Sequence, residues 1–127
     1  MPAYDALLFT PPAPVASVIL RNPADGEGVP DVPMLLGSGA DVTLIPRECV
    51  SRLGVPIEPD GSYELIGFDG STSVAQAVNL HMVFLGRIFR GRFLLTDGPC
   101  GVVGRNVLNC LSLTLDGPRL TWSEKTS

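Results

Sequence analysis

Few side chains in this sequence can do chemistry, and their spacing excludes most of the common reactions. His81 is the only histidine, and it falls on the polar side of a run whose other face carries Leu80, Met82 and Phe84. That alternation reads as a half-buried strand with a solvated histidine on its outer side. One histidine, with three cysteines (Cys49, Cys100, Cys110) that lack C-x-x-C spacing, does not supply a zinc site. No metal and no other cofactor is expected. The tripeptide Gly37-Ser38-Gly39 invites three readings. It is not a dinucleotide-binding turn, because Val42 stands where the third glycine belongs. It is not a nucleophile elbow, because Leu36 and Gly37 precede the serine. No lysine follows to make a phosphate loop. Ser38 as a nucleophile would need a base, and only His81 could serve.

The elements that must position these residues are short. Gly 14 and Pro 12 favour many brief elements joined by tight turns over a helical bundle. Strand-like runs occupy 15–21, which is rich in β-branched residues, 32–36, 42–45, 63–66, 73–78, 79–85, 88–95, 112–115 and 120–122. A short helix is expected over 46–53, opened by Pro46 and stopped by Gly54. A second, of two turns, is expected over 104–111. Gly67-Phe68-Asp69-Gly70 reads as the tip of a hairpin. The Pro-rich segment 11–14 reads as an extended arm without regular structure. The expected organisation is an N-terminal arm over 1–14, one all-β domain with a barrel-like or sandwich core over 15–122, and a tail over 123–127.

Length and charge narrow the classes further. At 127 residues the chain is one domain's worth of protein and needs no staple to fold. The net charge is −4 and Lys125 is the only lysine. The arginines are scattered, with one loose cluster at Arg87, Arg90 and Arg92. A nucleic-acid partner is therefore not expected, since phosphates call for a basic face. No apolar run is long enough to span a bilayer, and the first residues lack a basic n-region. Neither a membrane nor a signal peptide is expected. Reduced thiols in a cytoplasmic protein fit the odd cysteine count.

The stretch 34–46, MLLGSGADVTLIP, resembles the active-site loop of the retropepsins, the retroviral-type aspartic proteases. Leu35 and Leu36, Ser38-Gly39-Ala40-Asp41 and Thr43-Leu44-Ile45 follow that family's pattern. A second block, Val102-Val103-Gly104-Arg105-Asn106, resembles its apolar-apolar-Gly-Arg-Asn segment near the C-terminus. The tip at Ile66-Gly67-Phe68-Asp69-Gly70 lies between them, where the family places its flap. The resemblance implies an acid-protease barrel working as a homodimer, with a peptide or protein substrate held extended between flap and floor. It also implies that Ser38 and Gly39 form the catalytic loop and that Gly39, Ala40 and Asp41 meet substrate alongside the flap. Asp41 and Arg105 would form an ion pair, Thr43 would back the loop, and Trp122 would join a dimer sheet or cap the core. No cofactor is implied, because the nucleophile would be water.

The departure from the pattern is at Gly37, where the family carries its catalytic aspartate. Two carboxylates sharing one proton are the working parts of such an enzyme, one from each subunit. Glycine can neither take nor give a proton. Asp31 and Asp41 are not placed to hold the water in its stead. The expectation is a subunit of a retropepsin-like endopeptidase that, as written, does not cleave peptides. Two accounts of Gly37 remain open: an inactivating substitution made on an active protease, which the intact surroundings favour, or a natural pseudoprotease kept for dimerisation or peptide binding.

Overall fold

The computed structural model of the chain describes residues 2–66 and 70–125. Its elements run β1 (Tyr4–Asp5), β2 (Ala13–Arg21), β3 (Gly28–Leu36), β4 (Leu44–Pro46), α1 (Arg47–Leu53), β5 (Ile57–Ile66) and β6 (Thr72–Phe84). They continue with β7 (Arg87–Thr96), β8 (Gly101–Val103), α2 (Arg105–Leu108), β9 (Leu113–Asp116) and β10 (Thr121–Glu124). The strand order of the main sheet is β1-β2-β3-β8-β4-β7-β6-β5, and an additional pairing joins β2 to β6. That pairing closes β2, β3, β8, β4, β7 and β6 into a barrel, leaving β1 and β5 outside the ring.

The closure depends on β8, which lies parallel to β3 (Met34↔Gly101 to Leu36↔Val103) and antiparallel to β4 (Leu44↔Val102). β8 reaches only the last three residues of β3. Pro30 and Pro33 fall earlier in β3, where β2 is the only ladder partner, and a proline there removes no second ladder bond.

Inward-facing side chains fill the barrel with alternating period. Leu80, Met82 and Phe84 of β6 are buried, as are Leu20, Met34 and Ile45. Trp122 closes one end: its indole Nε1 donates to the Val15 carbonyl at 3.0 Å, and its ring lies 6.1 Å from that of Phe84 at 50°. α1 begins where β4 ends at Pro46 and stops at Gly54, whose φ of 71° is the left-handed conformation that glycine adopts without strain.

Four expectations need correction. The segment 11–14 is not a free arm, because Ala13 and Pro14 open β2 and pair with Asp5 and Tyr4. The chain before it is tied further by Tyr4 N to the Leu120 carbonyl and Trp122 N to that of Pro2. Prolines at the start of a strand leave the rest of its ladder intact. The runs 73–78 and 79–85 form the single strand β6, whose ladder to β7 runs unbroken from Ala77↔Leu94 to Phe84↔Arg87. Ala77 and Val78 are both buried because they face opposite sides, Ala77 with Ala75 and Leu94, and Val78 in the main core. β4 starts at Leu44, two residues later than expected. Only one turn of α2 is helical, with Cys110 N bonding to Val107 O and Leu111 N to Leu108 O as tighter turns that exhaust it.

Candidate active-site loop

Residues 37–43 link β3 to β4, and almost every polar group that holds them comes from the β8–α2 segment. Gly37 N donates to the Val103 carbonyl at 3.0 Å, and Ala40 N closes a tight turn onto the Gly37 carbonyl at 3.0 Å. Arg105 N donates to the Ala40 carbonyl at 2.8 Å. At the far end of the loop, Thr43 Oγ1 accepts from Gly104 N at 3.0 Å and donates to Asn106 Oδ1 at 2.7 Å. Thr43 is 1% exposed, so its bond with Gly104 N is shielded from competing water, while the one to exposed Asn106 is partly shielded.

The approach is close enough to dictate a glycine. A Cβ at Gly104 would run into the Val42 carbonyl and lie 3.1 Å from that of Ala40. Backbone cannot yield as a flexible side chain can, which is the physical content of the glycine in the second motif block.

Gly37 is also crowded, but from a different direction. Its backbone is outside the left-handed region, so conformation does not require glycine. A Cβ there would lie 2.6 Å from Val102 Cγ1, with the Val103 carbonyl oxygen and Ala40 Cβ at 3.8 and 3.9 Å. The space that any larger side chain needs is filled by a methyl group, and no carboxylate is among these nearest neighbours. Val102, on β8, was not legible as a neighbour of Gly37 in the sequence. The contact arises only from the pairing of Leu35 with Val102, which joins residues far apart in the chain.

The other expected site residues fall as follows. Ser38, Gly39 and Asp41 are exposed, while Ala40 is half-buried. The Arg105 guanidinium donates to the Ser38 carbonyl at 2.9 Å. Asp41 and Arg105 are not joined: the ion pairs among the described residues are Arg47–Asp97, Arg87–Glu124, Arg92–Glu58 and Arg119–Asp116. Arg105 thus ties α2 to the loop through a backbone oxygen. Ile66 pairs with Thr72 at the end of the β5–β6 ladder and is 73% exposed. Gly70 is exposed with φ of 83°. Gly67, Phe68 and Asp69, expected at the flap tip, lie outside the described residues. His81 is half-buried on β6. No group of three or more metal-ligating side chains occurs among the described residues.

No family model matches the chain, and no curated protein sequence does. Among solved structures it is similar to EIAV protease complexed with the inhibitor HBY-793, with a TM-score of 0.59 and 22% identity over 77% of this chain and 86% of that chain. An all-β barrel closed through β8, with two short helices and a clamped loop after β3, thus has the retropepsin-like acid-protease fold.

Proposed function

We propose that this chain is one subunit of a homodimeric retropepsin-like aspartic endopeptidase scaffold which, with glycine at the dyad position, holds an extended peptide and does not cleave it. The observation that carries the reading is the clamped loop. Gly37 N on Val103, Arg105 on Ala40 and Ser38, and Thr43 on Gly104 and Asn106 fix residues 37–43 rigidly, as a site that must present two residue-37 positions face to face requires.

The chemistry follows from what that position would hold. With aspartate in each subunit, one carboxylate would take a proton from water while its protonated twin polarised the scissile carbonyl. With glycine in both, the loop retains its backbone geometry and loses both groups. The remaining interactions of an extended peptide with such a cleft are backbone hydrogen bonds and side-chain contacts, which bind without reacting.

The packing of Val102 against Gly37 supports the second account of this position, a natural non-catalytic binding module. The floor as it stands is packed for glycine, and an aspartate at residue 37 requires Val102 to turn or shift.

The test is proteolysis of a mixed peptide pool from about pH 4 to 7 by this chain, Gly37→Asp and Gly37→Asp/Val102→Ala, with sedimentation to give the oligomeric state. Cleavage by either aspartate form, blocked by a statine-type inhibitor, supports the endopeptidase scaffold. Cleavage by the double variant alone supports the pseudoprotease account. A stable monomer in every form refutes the proposal, because half a cleft has no dyad.

A further inference from the structure

Residues directly opposite one another on neighbouring strands share a face of the sheet. The registers align Arg21 of β2 with His81 of β6, and His81 with Arg90 of β7. Their neighbours Leu20 and Met82 are buried in the core, so this row points outward. It crosses three strands at about 5 Å per step. Arg21 and Arg90 are exposed and His81 is half-buried. On the same hairpin, Arg92 and Arg87 are engaged by Glu58 and Glu124. No ion pair or side-chain hydrogen bond engages Arg21, His81 or Arg90 among the described residues. In a chain of net charge −4, the row presents two exposed guanidiniums, with Asp25 and Glu27 on the β2–β3 turn beyond Arg21.

Apolar surface borders the row on both sides. One step along the strands, the same registers align Ile19, Val83 and Ile88, and Ile88 is 47% exposed. In the other direction Asn79, two residues from His81 and therefore on its face, lines a pocket of about 340 Å³ with Pro23, Val55, Pro56, Ile57 and Glu58, whose carboxylate is taken up by Asn79 Nδ2 and the Arg92 guanidinium.

We propose that this outer wall of β2, β6 and β7 docks an acidic peptide segment in which carboxylates alternate with apolar side chains. The two guanidiniums take carboxylates in their planar forks, and the imidazole donates between them. The apolar side chains lie over Ile88 and in the pocket beside Asn79. A polynucleotide fits less well, since the row ends after three strands and offers two exposed guanidiniums in place of a continuous basic stripe. None of these residues belongs to the loop 37–43 or to the segment that clamps it. The proposal therefore stands independently of the peptide cleft.

The test is fluorescence anisotropy with a labelled acetyl-Glu-Leu-Glu-Asp-Leu-Glu peptide in 50 mM NaCl. Binding is expected to weaken about tenfold in Arg21→Gln/Arg90→Gln. A loss of several-fold is expected in 200 mM NaCl and with serine in place of both leucines of the probe. Arg119→Gln, at the far β9–β10 turn, should bind as the parent does, and circular dichroism should show the variants folded. Four results would overturn the proposal: no binding, binding indifferent to the double variant, equal competition by inorganic phosphate, or tighter binding of a thymidine oligonucleotide. Binding that survives the double variant but is displaced by a statine-type inhibitor belongs to the cleft. That outcome also overturns the docking wall while leaving the cleft reading intact.

Discussion

The contact between Gly37 and Val102 makes a quantitative claim about a single methyl group. A Cβ at residue 37 would sit 2.6 Å from Val102 Cγ1, well inside the ~3.5–4.0 Å at which two carbons attract. Relieving that overlap by turning or shifting Val102 costs about 1–3 kcal/mol, the usual range for overpacking. Gly37→Ala also restricts the unfolded chain, which returns about 0.4–1 kcal/mol because the native backbone is compatible with alanine. The expected net loss is about 1–2 kcal/mol. At the entropy of unfolding typical of a chain this size, 1 kcal/mol shifts Tm by roughly 4 °C, so Gly37→Ala should melt about 4–8 °C lower. In a Val102→Ala background the obstruction is gone and only the unfolded-state gain remains. There the same substitution should raise Tm by about 2–4 °C. The assay is a double-mutant cycle by thermal and urea unfolding, and the expected coupling is about 1–3 kcal/mol. If Gly37→Ala costs the same in both backgrounds, Val102 does not occupy the space and the argument for a floor fitted to glycine fails.

Thr43→Val keeps the shape but strips Gly104 N and Asn106 Oδ1 of their partner. It should cost about 2–3 kcal/mol by urea unfolding, with Thr43→Ser recovering most of it. Gly104→Ala drives a methyl into the Val42 carbonyl and should lose about 3 kcal/mol or more; a loss below about 1 kcal/mol would show that the loop is not held that close. Trp122→Phe removes the bond to Val15 and should cost about 1–2 kcal/mol, while Trp122→Ala should cost about 3–5 kcal/mol in the same denaturation series. The Cys100 thiol is held above its ordinary pKa, first by burial and then by the Asp5 charge, with an opposing hydrogen bond from the Leu35 backbone. The folded state therefore favours the neutral thiol. Its contribution to stability is complete below the unfolded-state pKa and is lost as pH rises through the folded one. Iodoacetamide at pH 8 should accordingly label exposed Cys110 faster than Cys100, and equal rates by mass spectrometry would contradict this.

Much of the fold was legible because it is written in local pattern. The alternation of Leu80, Met82 and Phe84 marks the inner face of β6, and Pro46 and Gly54 bracket α1 closely. What escaped was whatever depends on pairing between distant segments. β8 is three residues long, too short for periodicity to distinguish from a loop, yet it completes the barrel. The segment 11–14 reads as irregular because prolines cannot sustain a ladder alone, and only the pairing with Tyr4 and Asp5 brings Ala13 and Pro14 into β2. At the site, Gly37 was conspicuous and the clamping segment was visible as a motif. The methyl of Val102 over Gly37, and the turn of Arg105 toward Ser38 in place of Asp41, are three-dimensional facts with no signature in spacing. The row of Arg21, His81 and Arg90 was hidden for the same reason, since its members lie on three separate strands.

The insertion of β8 between β3 and β4 has a consequence for how the chain comes together. The partners Leu36 and Val103 are separated by about half of the sequence, and that loop must close before β8 gains its two neighbours. Such non-local pairing slows folding. Until Val103 has been synthesised and inserted, β3 and β4 present two bare inner edges, each a template for a strand from another molecule. A chain truncated before Gly101 would not be a smaller version of this domain. It would be an opened barrel prone to aggregation, and the last fifth of the sequence acts as the bolt that shuts it.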